Sequence, residues 1–336
     1  MQQLSPDQPF DQTLVRVAWL YFKEGRTQAE IADLLSTNRL RINKLINEAR
    51  RTGLVTITLN TSLTSCIELE QTLMAEFGLE RAIILPTPKD PDLISVLVGE
   101  ATADYFMQLL NTTKVSGVGT AWGITLREMV RFVPASKFPD LCVSSVIGGL
   151  TRGLAINTFD IASDLARQLN AECAYLAAPV YADSPASRDA ICNQQEFQTA
   201  FTRIASNDIV LVSIGDMSDR SLLMRYGLPR DVDVQSLLDA GAVGDILGQF
   251  VDRNGQPIDH EINRRAIALS LESLGKVPRV IFAAGGRSKA RAIAGALRSG
   301  LGSTLVCDED TARLALDLAR QSSKAAGPGT ERTSPI

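Results

Sequence analysis

The chain has 336 residues, of which 45% are hydrophobic and 21% charged, with a formal net charge of −4. That is enough for two domains, or one large domain with an appendage, around a sizeable core of ordinary globular composition. The five cysteines (Cys66, Cys142, Cys173, Cys192, Cys307) are odd in number, scattered and without a CxxC pair, which reads as reduced thiols in a cytoplasmic protein. A single histidine, His260, argues against His-rich metal sites and against a Ser-His-Asp triad, and its place in "QPIDHEIN" suggests a surface loop. Apolar runs are strand-length, short of the ~20 residues of a membrane span. The opening "MQQLSPDQPFDQ" lacks the basic-then-apolar pattern of a secretory signal. No cofactor, metal or membrane partner is expected.

The first sixty residues predict three helices. "QTLVRVAWLYFKEG" carries Leu14, Val17, Ala18 and Tyr21 at helical spacing, with Gly25 just beyond. In "TQAEIADLLS", Thr27 and Glu30 form a capping box, and Ile31, Leu34 and Leu35 supply an apolar face. After a break at "STN", "RLRINKLINEARRTG" places Ile42, Leu45, Ile46 and Ala49 on one side, with Gly53 closing the helix. "LVTITLN" alternates like a short strand in the position of a wing. A tight break between the second and third helices is the helix-turn-helix pattern, whose last helix enters the major groove.

Charge supports that reading. Residues 36–51 hold Arg39, Arg41, Lys44, Arg50 and Arg51 against one acid, Glu48, within an acidic chain. At 100° per residue the outward side of the third helix carries Leu40, Asn43, Lys44, Asn47 and Arg51. Base-reading candidates are Arg39, Leu40, Arg41, Asn43 and Lys44, since Asn pairs with adenine, Arg or Lys with guanine, and Leu meets a thymine methyl. Thr27, Gln28, Thr37 and Asn38, at helix starts, suit phosphates.

Beyond residue 60, "TSCIELEQTLMAEFGLERAIILP" begins as an amphipathic helix with Ile67, Leu73, Met74 and Phe77, stopped by Gly78, and "AIIL" reads as a strand. The helix is a candidate dimer contact, or packs only on its own domain. Strand-like and helix-like stretches then alternate. "KVSGVG" leads into a helix from Ala121, and "LCVSSVIGG" precedes "NTFDIASDLARQLN". "DIVLVSIGD", "AVGDILGQFV", "RVIFAAGG" and "STLVCD" follow as strands, the last two each with a helix after it. Nearly continuous apolar strands alternating with helices predict an α/β domain with a mainly parallel sheet. "FVDRNGQPI" interrupts this with an Asn254-Gly255 hairpin signal. The polar "QSSKAAGPGTERTSPI" reads as a disordered tail, so the expected domains are 1–60, 61–320 and a tail, 321–336.

Ligands of open α/β sheets bind beyond the carboxyl ends of strands. Gly117–Gly123, Gly148-Gly149, Gly215-Asp216, Gly241–Gly248 and Gly285-Gly286 are glycine-rich strand ends. "VSGVGTAWGITL" suits a phosphate best, because Thr120 and Thr125 add hydroxyls to free amides at a helix start. It has neither the lysine of a P-loop nor the spacing of a dinucleotide loop. In "AAGGRSKARAI", Arg287 and Lys289 oppose the dipole of the helix they begin, which an anion held there would offset. Asp216 and Asp245 are candidates to accept from sugar hydroxyls.

In order, these pieces resemble the SorC/DeoR-type family of sugar-responsive bacterial transcription regulators, from about Leu14 to Leu318. "TQAEIADLLSTNRLRINKLINEARRTGLV" is similar to its helix-turn-helix. "GVGTAWGITL", "IGGL", "SIGDM", "GAVGDILGQFVDRNGQPI", "SLESLGKVPRVIFAAGGRSKARAI" and "CDEDTARLAL" resemble its effector domain. The resemblance implies a winged helix-turn-helix followed by a domain related in fold to sugar-phosphate isomerases and deaminases. It implies an effector phosphate on Gly117, Gly119, Thr120, Gly123 and Thr125, with Lys289 nearby and Trp122 as a wall. Leu40 and Asn43 depart from the small or hydroxyl residues common in the family's recognition helix, so the operator should differ. The implied protein is a non-enzymatic, cytoplasmic regulator of carbohydrate or sugar-alcohol catabolic genes. Its partners would be operator DNA and a small sugar, polyol or sugar-phosphate effector, and a homodimer or homotetramer is expected, since one recognition helix reads few base pairs. The alternative is a sugar-phosphate isomerase or deaminase with an accessory N-terminal domain.

Overall fold

The computed structural model describes residues 12–52, 54–55, 63–150 and 157–325. They fall into two compact units that divide between residues 61 and 62.

The first unit is three helices, α1 (Gln12–Phe22), α2 (Gln28–Leu34) and α3 (Arg39–Arg51). Val17, Leu20, Ile31, Ala32, Ile42 and Ile46 form its centre, and Leu14, Ala18 and Ala49 a second cluster between α1 and α3. Ala32, not Leu34, completes the inner face of α2: Leu34 is 56% exposed. The capping box is present in full, Thr27 Oγ1 accepting from the Glu30 amide while the Glu30 carboxylate accepts from the Thr27 amide. The expected wing strand lies mostly outside the described residues, as do Gly53 and the side chain of Arg51.

The second unit begins with α4 (Leu63–Phe77), which buries Cys66, Leu69 and Leu73, ends at Gly78 with φ +68°, and leaves Ile67 exposed. Chain order continues with β1 (Arg81–Leu85), α5 (Ile94–Thr112), β2 (Gly117–Thr120), α6 (Ile124–Phe132), β3 (Cys142–Ser145), α7 (Thr158–Leu169), β4 (Glu172–Ala174), α8 (Pro185–Cys192), α9 (Gln195–Ala205) and β5 (Ile209–Val212). Then come β6 (Ile214–Asp216), α10 (Val234–Asp239), β7 (Gly244–Ile246), β8 (Gln249–Val251), α11 (Glu261–Arg265), α12 (Leu271–Leu274), β9 (Arg279–Ala283), α13 (Ala290–Arg298), β10 (Thr304–Asp308) and α14 (Glu309–Ala325).

Seven strands form one sheet in the order β1-β10-β9-β5-β2-β3-β4, every pair parallel. The central strand β5 is buried at all four residues because helices cover both faces. Helices α5, α6 and α7 pack side by side, as do α13, α14 and α4. With its preceding turn, α5 is long and apolar enough, by length and composition, to cross a membrane, although no single apolar run showed it; Val98, Ala103, Phe106 and Leu110 are buried in the core. The order of strands reverses between β2 and β5. From β2 the chain moves outward through β3 and β4; from β5 it moves the other way through β9 and β10.

Four expectations are corrected. "AVGDILGQFV" is two antiparallel strands, β7 and β8, joined at Leu247 and Gly248, whose φ of 53° and 72° make the tight turn. The Asn254-Gly255 turn brings Pro257 back only to a single bridge with Val251. His260 is half-buried and caps α11, its Nδ1 accepting from the Ile262 amide at 3.2 Å and its Nε2 meeting Ser236 Oγ at 3.1 Å. Helix α14 runs through residues 321–325, where a tail was expected; residues 326–336 lie outside the description.

Candidate functional site

Leu40, Asn43, Lys44 and Asn47 are exposed on α3, as the helical periodicity predicts, and so are Arg39 and Arg41 near its start. Leu40 is 77% exposed, an unusual position for a leucine on an otherwise polar face. Two of the expected phosphate ligands already have local work. The Thr27 hydroxyl donates to Glu30 at 2.8 Å within the capping box, and Asn38 Oδ1 accepts from the Arg41 amide at 2.9 Å, capping α3. Thr37 is half-buried. Gln28 reaches both Arg39 and Asn43.

In the second unit the strand-order reversal places the loops after β2 and β5 side by side, the position where open α/β sheets hold ligands. The helix after β2 starts at Ile124, not Ala121, because Gly123 adopts φ +142° and breaks the chain direction. No side chain caps α6, so its first amides remain available to an anion. A methyl at Gly123 would lie 2.8 Å from Ser213 Cβ and Oγ, which places Ser213, the residue after β5, directly against this turn. Thr120 and Thr125 are both buried; Thr120 Oγ1 donates to the Ala121 carbonyl at 3.1 Å. Trp122 is buried as well, its ring edge against Gly227.

Four glycines singled out in the sequence serve packing. Gly117 lies at the start of β2, where its amide and that of Ser116 donate to the Asp208 carboxylate at 3.1 and 2.7 Å. Gly119 sits between β3 and β5, and a methyl there would meet Val146, Asn207 and Val210. The amides of Gly148 and Gly149 bond the Ile267 and Ala178 carbonyls. A side chain at Gly149 would collide with Phe159. None of these four amides is free for a phosphate.

A cluster of charged side chains is built by β6, β7 and the turn before α13. Asp216 and Asp245 are 5% and 4% exposed. Asp216 accepts from the Ser218 amide and hydroxyl, at 3.2 and 2.7 Å, and Asp245 accepts from the Gly248 amide at 2.9 Å. Gly215 is paired opposite Asp245, and its missing side chain makes room for that carboxylate. Burial pushes the Asp245 carboxyl up to about 6; the Gly248 amide and Lys289 pull it down, and Asp216 adds to the rise. Lys289 closes a short 3₁₀ turn, Arg287–Lys289, that follows Gly286 (φ +98°). Its ammonium is held below the ordinary lysine value by burial, and the nearby Asp216 and Asp245 carboxylates oppose that fall. The two carboxylates thus supply part of the opposite charge around Lys289. Arg287 is exposed and reaches Asp310 at 3.8 Å.

Sequence reasoning missed Asp308. It ends β10 and accepts from the Gly286 amide (2.8 Å), Thr87 Oγ1 (3.1 Å), the Thr311 amide (3.1 Å) and Thr311 Oγ1 (2.9 Å), thereby fixing the glycine turn that carries Lys289. An aspartate closing an apolar strand just before a Thr-containing helix start, "CDEDT", was the available signal.

Residues 61–317 match the Sugar-bind family of sugar-binding domains. The chain is 30% identical over 303 residues to the erythritol catabolism regulatory protein EryD of Brucella abortus (strain 2308), covering 90% of this chain and 96% of that one. It is 30% identical over 309 residues to the transcriptional regulator LsrR of Escherichia coli O139:H28 (strain E24377A / ETEC), covering 90% and 93%. The crystal structure of the full-length sorbitol operon regulator SorC from Klebsiella pneumoniae aligns with a TM-score of 0.69 at 27% identity, covering 90% of this chain and 98% of that one. The likeness to these regulators thus runs along nearly the whole chain. The chain belongs to the SorC/DeoR-type family of sugar-binding transcriptional regulators.

Proposed function

We propose that the protein controls carbohydrate or sugar-alcohol catabolic genes by binding operator DNA through α2 and α3 and releasing or engaging it when a small effector fills the crevice beyond β2 and β5. The observation that carries this reading is the pair of buried carboxylates, Asp216 and Asp245, both acting on the charge of Lys289, on a hairpin that the chain enters from Ser213, the residue against the Gly123 turn at the uncapped start of α6. Carboxylates accept from hydroxyls, the ammonium donates to them, and the α6 amides suit a phosphate or another oxygen acceptor. A polyol, free or carrying one phosphate, has that complement. The names of EryD and SorC, a regulator of erythritol catabolism and a regulator of a sorbitol operon, support the choice of a sugar alcohol.

In this reading the protein is a cytoplasmic sensor without catalytic turnover, and it assembles as a dimer or tetramer, because one α3 reads too few base pairs for a specific operator. A thermal-shift screen of sugars, polyols and their phosphates tests it. The expected result is stabilisation by a narrow set of polyols or polyol phosphates, lost in Asp245→Asn and Lys289→Ala. A ligand whose effect survives both substitutions would place the effector elsewhere.

A further inference from the structure

Two side-chain hydrogen bonds cross from α2 to α3. Arg39 Nε donates to Gln28 Oε1 at 3.4 Å, and Gln28 Nε2 donates to Asn43 Oδ1 at 3.5 Å. A guanidinium has donors only, so the oxygen of Gln28 must face Arg39 and its NH2 group must face Asn43. That orientation in turn fixes Asn43, with its oxygen toward α2 and its NH2 group away. Both bonds leave free the edges that base reading needs. Arg39 keeps both terminal nitrogens, the two-pronged edge that pairs with guanine. Asn43 keeps both amide hydrogens and a second lone pair on Oδ1, enough for a bidentate contact with adenine.

Arg39 and Asn43 are both exposed, and each would lose rotamer freedom on binding DNA if nothing held it beforehand. Gln28, half-buried at the first position of α2, can hold both at once. Both bonds lie at the long end of the hydrogen-bonding range, so they orient these side chains and add little to folding. We infer that Gln28 is a positioning residue for operator specificity, presenting Arg39 and Asn43 to base edges as a pre-arranged pair, in place of the phosphate contact its helix-start position suggests. The inference rests on the DNA-binding role of α3.

The test uses the full chain and a duplex enriched by the parent protein from a randomised pool, together with single-base-pair variants of that duplex. Arg39→Ala and Asn43→Ala first identify the base pairs each residue reads, as positions where discrimination collapses. Gln28→Ala is expected to reduce discrimination about tenfold at both positions, to leave it intact elsewhere, and to leave the melting temperature and the salt dependence of binding unchanged. Gln28→Glu keeps the acceptor for Arg39 but removes the donor to Asn43, so it should lose discrimination only at the Asn43 position. A Gln28→Ala protein that binds every duplex equally more weakly is reporting a phosphate contact and overturns the inference, as does unchanged discrimination. Lys44→Ala and Arg41→Ala on the same duplex separate the two levels: if these too leave binding unchanged, the DNA-reading role of α3 itself fails.

Discussion

Replacing Asp245 by Asn should make the protein more stable and a poorer effector binder at the same time. The carboxyl titrates near 6 against an ordinary value of 3.8 because it is buried, so the folded chain holds this proton more tightly than the unfolded chain does. Asp245 is therefore harmless to folding below about pH 4. Its cost grows as pH rises from 3.8 toward 6 and is complete above that. At ~1.4 kcal/mol per pH unit, the gap corresponds to ~3 kcal/mol at neutral pH. Asparagine preserves the acceptor for the Gly248 amide and carries no charge, but it deprives Lys289 of one of its two counter-charges. The net gain expected at pH 7.5 is ~1–2 kcal/mol, shrinking toward zero at pH 5, measured by denaturant unfolding at both values. A hydroxyl that donates to an ionised carboxylate loses ~1.5–3 kcal/mol when the charge goes, so calorimetric affinity for an unphosphorylated polyol hit should fall about tenfold or more. For the same reason the parent's polyol affinity should decline below pH 6, where Asp245 takes up its proton. A variant less stable than the parent at both pH values, binding polyol as before, would refute the reasoning.

Other expectations are more direct. Gly123→Ala forces a side chain into φ +142° and against Ser213, so it should destabilise the effector unit by ~1–3 kcal/mol and abolish binding of phosphorylated effectors, read by melting temperature and calorimetry. Lys44→Ala or Arg41→Ala should weaken operator binding by ~1–3 kcal/mol and flatten its salt dependence in a gel-shift titration, with effector binding retained. Light scattering should return a dimer or tetramer, and a monomeric mass with and without operator DNA would contradict that assembly. Incubation with small phosphosugars should yield no isomerised or deaminated product; turnover that disappears in Asp245→Asn would make the protein an enzyme.

The sequence made the architecture legible where one physical signal dominates. Unbroken apolar strands such as "IVLV" reveal a sheet covered on both faces, and the stripe Ile42, Leu45, Ile46 and Ala49 reveals which side of α3 faces out. Glycines were harder to interpret, because one residue type answers two different demands. Gly123 is glycine for its backbone angle, at a helix start that can meet a ligand. Gly119 and Gly149 are glycines because Asn207 and Phe159 occupy the space of a side chain, and no local pattern distinguishes the cases. The β7–β8 turn was hidden because Leu247 adopts a positive φ that its side chain disfavours. Asp308 shows locally only its bonds to Thr311; its role in holding the glycine turn depends on Thr87 and Gly286, which are distant in sequence.

The same buried cluster bears on the choice between sensor and catalyst. A carboxyl raised to about 6 beside a lysine lowered by burial is the pattern expected of an acid–base pair. Binding alone accounts for it equally well, since a polyol that displaces water must be met by groups already stripped of theirs. The structure offers reasons for rigidity here: Gly248 holds Asp245, Ser218 holds Asp216, and Asp308 fixes the turn that presents Lys289. Fixed donors and acceptors discriminate one arrangement of hydroxyls from another, because a mismatched ligand leaves a buried charge unpaired. In the proposed reading the energetic cost of keeping Asp245 ionised would be the source of selectivity, since only a ligand that supplies the missing hydrogen bonds would relieve it. An effector so matched stabilises the conformation in which it is bound, and only that difference in affinity between conformations can alter the hold on DNA.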